Sequence, residues 1–325
     1  MLSWRGPDPR LQRKNLGQPT IDTVHPRGQE SLKMRILSIG EVVWDVFEDS
    51  TRLGGAPLNF AVDVSRFGHD VVFVSGVGKD QRGDEALKCI RNAGLSTAYV
   101  QQLKEYPTGY VQVSTSRDGD HSYAIHRPAA YDFPALTPKQ LEAIASFKPE
   151  WLYFGTLQQT SCTARELVET LIHWLPETRR FYDMNLREGH YTTELVRNLL
   201  EETTLLKLNE NEARTCAGIF ENAPSAADEF CEWMVGQFGL EGVCITRGAG
   251  GCAVHCDGEY VESPGYQVDV EDPVGAGDAF AAGFLHGRNE GWALKKTCAF
   301  ANQLGALVAS KPGALPEWSL DEIDE

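Results

Sequence analysis

Several features that would place a 325-residue chain quickly are missing here. The eight cysteines, Cys89, Cys162, Cys216, Cys231, Cys244, Cys252, Cys256 and Cys298, form no Cys-x-x-Cys pair. That removes the spacing of a zinc ribbon or a thioredoxin-like redox motif. Cys252 and Cys256 flank an apolar stretch that reads as a strand, so both fall on one face without any implied bond. No run approaches the roughly 18 consecutive apolar residues of a membrane span, and the segment before Met34 has no apolar core of signal-peptide type. Positive charge is scarce: 30 Lys and Arg face 46 Asp and Glu, a formal net charge of −16. Nonspecific nucleic-acid binding draws on clustered cations and is disfavoured. The chain also lacks Gly-x-x-x-x-Gly-Lys-[Ser/Thr] and the His-Arg-Asp and Asp-Phe-Gly set. Ile39-Gly40-Glu41-Val42 does not supply the Gly-x-Gly-x-x-Gly of a dinucleotide fold. P-loop, protein-kinase and Rossmann chemistries are set aside on these grounds.

What is present is enough hydrophobic residue, 42%, to build a substantial core, with no internal repeat. The expectation is a soluble, cytoplasmic globular protein without membrane or nucleic-acid partners. Residues 1–33, with Pro7, Pro9, Pro19 and Pro26 and no periodicity, read as a disordered extension. Asp8, Asp22 and Glu30 argue against a targeting peptide there.

From Met34 onward, buried strands alternate with helical patterns. Met34 to Gly40, Val71 to Val77 and Trp151 to Phe154 read as strands; Pro57 to Phe67, Gln81 to Ala93 and Thr160 to Leu175 have helical spacing. This predicts an α/β fold, a largely parallel sheet with helices on both faces. Gly109 to Thr115 and His121 to Ile125 break the alternation, joined by Ser116-Arg117-Asp118-Gly119-Asp120 with its Asp-Gly turn signal. A small β extension is expected there, of the kind that covers a ligand.

Chemistry concentrates in Asp272-Pro273-Val274-Gly275-Ala276-Gly277-Asp278-Ala279-Phe280. Three small residues at a helix start let backbone N–H groups approach an anion, and the helix dipole assists. Asp278 in the first turn then offers an acceptor for the proton of an attacking hydroxyl. Taken alone, the segment is equally a glycine-rich turn with an ordinary N-terminal acid. Gly54-Gly55-Ala56-Pro57-Leu58-Asn59 permits a tight bend, with Asn59 as both donor and acceptor for a hydroxyl. Asp45 can accept from two vicinal hydroxyls, and Asp80 suits either a ligand or the N-cap of the next helix.

Together these two segments resemble the ribokinase-like (PfkB) sugar kinases, and among them the fructokinases, over residues 34 to about 315. The resemblance implies a ribokinase-like domain over 34–325 with a β lid built from parts of about 42–54 and 106–127. It implies an ATP-dependent enzyme using Mg²⁺, with Asp278 as base and Gly275, Ala276 and Gly277 as the anion hole. Asp45, Gly54, Gly55 and Asn59 are expected at the sugar, with Arg127 after the lid and Gln158 after the Trp151 strand. Asp183-Met184-Asn185-Leu186-Arg187 resembles the fructokinase Asp-x-Asn-x-Arg segment, with Arg187 steadying the phosphoryl group. The alternative reading pairs Asp183 with Arg187 on the surface.

On the nucleotide side the resemblance implies Lys207, Asn209, Thr246, Gly248, Gly251 and Asn302. Asn209 and Glu212, three apart, are expected to hold hydrated Mg²⁺, although the same spacing makes a helix capping box. Pro273, where many relatives carry Thr, removes an N–H and a hydroxyl and puts a monovalent-cation site on that stretch in doubt. The expected activity is transfer of the γ-phosphoryl group to a sugar hydroxyl, with fructose as leading acceptor and room for a homodimer formed through the lid. Ribose, a ketodeoxy sugar acid or a nucleoside stands as the alternative acceptor, and a noncatalytic ligand-binding protein of the same fold as the rival class.

Overall fold

The computed structural model describes residues 33–115 and 121–323. The expected extension over 1–33 and the turn over 116–120 lie outside these, save Lys33. Among the described residues thirteen strands run in chain order: β1 (Arg35–Ile39), β2 (Val43–Val46), β3 (Thr51–Gly54), β4 (Asp70–Gly78), β5 (Val100–Leu103), β6 (Gly109–Thr115) and β7 (His121–His126). They continue as β8 (Trp151–Gly155), β9 (Arg179–Asp183), β10 (Leu205–Asn209), β11 (Gly242–Thr246), β12 (Cys252–Cys256) and β13 (Glu259–Ser263). Nine of them form one sheet in the order β13-β12-β11-β10-β9-β8-β1-β4-β5. It is parallel from β5 through β11, and β12 and β13 add an antiparallel edge.

Strands covered on both faces read as continuous apolar runs, as β1 and β8 do. Alternation sends Ile36, Trp151, Tyr153, Phe181 and Leu205 into one core and Leu37, Leu152, Phe154, Tyr182 and Leu206 into the other. The first core also contains Phe60 of the helix Ala56–Arg66 and Ala279 and Phe280 of the helix Ala276–Asn289. Phe60 stacks on Tyr153 with ring centroids 3.7 Å apart.

The same period-2 rule places two charges. Asp183 shares a face with Phe181, and Lys207 shares one with Leu205, so both point toward the helix Ala276–Asn289. The β9–β10 register sets Lys207 opposite Asp183. A second, four-stranded sheet, β3-β2-β6-β7, stands apart from the first; its β2–β6 pair is parallel and the others antiparallel. No described helix is long and apolar enough to cross a membrane.

Candidate active site

The helix Ala276–Asn289 begins after Gly275, which adopts φ +86°. A side chain there would be strained by that backbone, and its Cβ would fall 2.4 Å from the Ala314 carbonyl oxygen. Glycine is required twice over. Ala276 N–H is directed to the Pro273 carbonyl at 3.3 Å and Asp278 N–H to that of Gly275 at 3.1 Å. Of the three expected anion-hole donors, Ala276 is thus engaged within its own turn. Asp272 accepts from Val274 N–H at 3.0 Å and Gly313 N–H at 3.2 Å, and pairs with Arg52 of β3.

Asp278 is 8% exposed and accepts from Asn59 Nδ2 at 2.8 Å. Burial pushes its pKa up to about 7, against the attraction of Lys207. Lys207 donates to both Asp183 oxygens at 3.0 and 2.9 Å, and Tyr153 hydroxyl donates to Asp183 at 2.8 Å. Burial alone lowers a lysine pKa, but Asp183, Asp278 and Glu212 outweigh it and hold the ammonium charged. A Cβ on Gly277 would lie 2.9 Å from Lys207 Nζ, so the glycine admits the cation to the helix start. Asp183 is fully buried, which replaces the surface Asp183–Arg187 pair with a buried Asp183–Lys207 pair.

Asn59, Lys207, Gly277 and Asp278 border a cavity of about 680 Å³. On one wall lie Asp45, Gly55 and Asn59, with Val43, Val111 and Ile125 from the smaller sheet. Gly54 sits immediately behind: its Cβ would be 3.6 Å from Asp45 Oδ2 and 3.9 Å from Asn59 Oδ1. Burial raises the Asp45 pKa to about 6, with Arg187 opposing. Asn59 Oδ1 has no hydrogen-bond partner among the described residues.

The lining also includes Asn185, Arg187, Lys207, Asn209, Thr246, Gly248, Gly251 and Asn302. Gly251, at φ +84°, leaves no room for a side chain, since its Cβ would meet the Ser263 carbonyl at 2.1 Å. Asn302 donates to the Ser263 and Pro264 carbonyls and so anchors the following segment, from which Tyr266, Val268 and Val270 project into the cavity wall.

Besides Gly54, four expected residues do not join the cavity wall. Arg127 is committed to Asp132, the Leu157 carbonyl and Thr160, and lies over the Tyr131 ring. Gln158 is fully buried and donates to the Tyr131 carbonyl at 2.9 Å. Asp80 is the N-cap of the helix Gln81–Asn92, accepting from Gly83 N–H and from Thr108. Glu212 accepts from Asn209 N–H at 2.7 Å and Leu186 N–H at 2.8 Å, while Asn209 Oδ1 accepts from Glu212 N–H at 2.9 Å. The proposed metal pair is therefore a capping box, because two backbone donors take the carboxylate. Among the described residues no group of three or more His, Cys, Asp or Glu is arranged to hold a metal. An ion retaining its waters on nucleotide phosphates needs no such cage, and Asn209 lines the cavity.

Sequence reasoning passed over Glu41, Asn185 and the Tyr266–Val270 stretch as wall residues, and missed the Asp183–Lys207 partnership. A lysine inside Leu205-Leu206-Lys207-Leu208 was the available signal, since a cation in a buried strand requires a partner.

Comparison with known proteins bears on the family and the fold. Fructokinase of Escherichia coli is 26% identical over 303 residues, 87% of this chain and 96% of that protein. A fructokinase of Xylella fastidiosa, solved with bound ATP, matches at TM-score 0.78 and 24% identity, covering 90% of this chain and 97% of that one. A 2-dehydro-3-deoxygluconokinase of Thermotoga maritima matches at TM-score 0.79 and 21% identity, covering 90% and 98%. These structural likenesses bear out the ribokinase-like α/β fold. Residues 30–319 match the pfkB family carbohydrate kinases, and with that span matched the chain belongs to this family of phosphotransferases, whose acceptor is a hydroxyl.

Proposed function

We propose that the chain is an ATP-dependent sugar kinase that phosphorylates a hydroxyl of fructose or a closely similar neutral sugar. The observation that carries this reading is Asp278: buried, held by Asn59, next to a glycine-lined helix start and open to the cavity. Its raised pKa suits a group that must take up a proton near neutral pH.

The sugar lies against Asp45, Gly55 and Asn59, and its hydroxyl oxygen attacks the γ-phosphorus. The bond from that phosphorus to the bridging oxygen breaks, ADP leaves, and the hydroxyl proton passes to Asp278. Negative charge on the transferring group meets the N–H groups at the helix start, Lys207 and Arg187. Asn209, which lines the cavity, would face a magnesium ion bound with the nucleotide, and that ion would supply further charge neutralisation. The adenine packs on Tyr266, Val268 and Val270, which are apolar and exposed in the free protein. Val43, Val111 and Ile125 make the smaller sheet an apolar cover, and its role as a lid is to keep water from the phosphoryl group.

The experiment is acceptor-dependent ADP release with ATP and Mg²⁺ across fructose, ribose, a ketodeoxygluconate and adenosine. Fructose should give the highest kcat/KM. A tenfold preference for the sugar acid, ribose or the nucleoside would move the enzyme to another acceptor within the family. No acceptor-dependent release from any of them would leave the noncatalytic binding protein as the better reading.

A further inference from the structure

Glu41 follows β1 at the carboxyl edge of the parallel sheet, where ligand sites gather in doubly wound folds. It is 5% exposed, yet it lines the cavity beside Gly55 and Asn59. The backbone around it explains the placement. Gly55, at φ +121°, abuts the Glu41 carbonyl so closely that a Cβ would fall 2.3 Å from that oxygen and 3.5 Å from Glu41 Cγ. The glycine brings the start of the helix Ala56–Arg66 against the glutamate, whose carboxyl is stabilised by the N–H groups of Glu41 and Ala56. Its Oε2 atom has no hydrogen-bond partner among the described residues.

Buried polar atoms without partners are uncommon, and each calls for a reason. Here two fall on one wall, Glu41 Oε2 and Asn59 Oδ1, and both are acceptors. Two buried, unmatched acceptors on residues that line the cavity call for donors. Hydroxyl groups supply them, and an apolar ligand does not. Burial raises the Glu41 pKa, with its own N–H, Arg187, Ala56 N–H and Arg127 opposing. In either protonation state the carboxyl has capacity for a hydroxyl.

We propose that Glu41 is a specificity-determining residue of the acceptor site, its free carboxyl oxygen receiving one hydroxyl of a neutral polyhydroxy acceptor. The inference rests on the sugar-kinase reading and deepens it, because it names a contact that the family motifs quoted above did not include. Removing Glu41 therefore costs affinity for acceptors that carry this hydroxyl. Acceptors that lack it have nothing further to lose.

The test is kinetic coupling between the residue and the substrate, with wild type, Glu41→Gln and Glu41→Ala measured against the preferred acceptor and its monodeoxy analogues. For the parent acceptor, KM should rise about tenfold or more in Glu41→Ala, with the KM for ATP unchanged within about threefold. One deoxy analogue should be poor for wild type, and its disadvantage should shrink toward unity in Glu41→Ala, as a double-mutant cycle requires of a direct pair. A purely structural glutamate would penalise every analogue equally, and that outcome would overturn the proposal. Glu41→Gln preserves size and one oxygen, so it serves if the alanine variant fails to fold; a sugar KM unchanged in folded Glu41→Gln and no analogue-specific effect would also sink the idea. Failure of the underlying function is distinguishable, because wild type would then turn over no acceptor at all.

Discussion

The residues proposed to meet the acceptor include buried side chains, whereas those proposed to meet the nucleotide include backbone turns and exposed apolar groups. Asn59 is 2% exposed among the first; Tyr266 and Val270 among the second are 41% and 61% exposed. Gly248 and Gly251 shape the second set through positive φ, and Asn302 holds it by two carbonyls. Side-chain atoms that are buried and incompletely paired discriminate sharply between ligands, since a wrong partner leaves them unsatisfied. Backbone and apolar surface grips a common cosubstrate without such discrimination. Asp278, Lys207 and the glycines before Asp278 lie together at the helix start.

The helix start gives the largest expected effect. Lys207→Met should abolish most turnover, by about 10²- to 10³-fold in kcat, as loss of a preorganised charge donor does. It also leaves Asp183 buried without its cation, at a cost of about 3–5 kcal/mol in urea unfolding. Adding Asp183→Asn should recover part of the stability and little of the turnover. Recovery of both together would reduce Lys207 to a structural role.

The pH dependence separates the two sets next. Asp278 must be ionised to accept a proton, and burial raises its pKa to about 7. As pH falls through that value the protonated share grows, so kcat/KM for the sugar should drop with a limiting slope of about one decade per pH unit. Asp45, raised to about 6, then adds a rise in sugar KM, while the KM for ATP changes little. Parallel changes in both KM values would erase the distinction between the two sets.

The smallest effect concerns the tie between them. Arg52 of β3 pairs with Asp272, which also receives Val274 and Gly313 N–H in the loop ahead of the helix start. The Arg52 side chain is 39% exposed, so the pair contributes at most about 1 kcal/mol. Arg52→Met should lower kcat about two- to fivefold with Arg52→Lys intermediate, and the urea midpoint should stay nearly fixed. A stability loss without a change in kcat would make the pair a plain surface contact.

The fold was legible because its signals are local: apolar runs for β1, β4 and β8, and the helical spacing after Gly55 and Gln81. Gly275 and Asp278 were legible for the same reason, within four consecutive residues. Lys207 and Asp183 were not paired correctly because they stand 24 residues apart and meet only through strand register. Arg127 and Asn209–Glu212 had local partners that competed for the same atoms, and Asp132 and the capping box took them. Glu41 was quoted only as part of a strand end, since a single acid there gives no sign that one oxygen will be left unmatched. Tyr266, Val268 and Val270 alternate like a strand but pair with none among the described residues, so their use as a wall depends on tertiary placement.

The central claim, that Asp278 removes the proton from a sugar hydroxyl held against Asn59, is tested by single turnover of ATP with saturating fructose in wild type and Asp278→Asn. The account predicts sugar phosphate formation slowed by about 10²- to 10⁴-fold in the variant, with ATP and fructose binding within about threefold of wild type. A variant that forms sugar phosphate within threefold of the wild-type rate would contradict it.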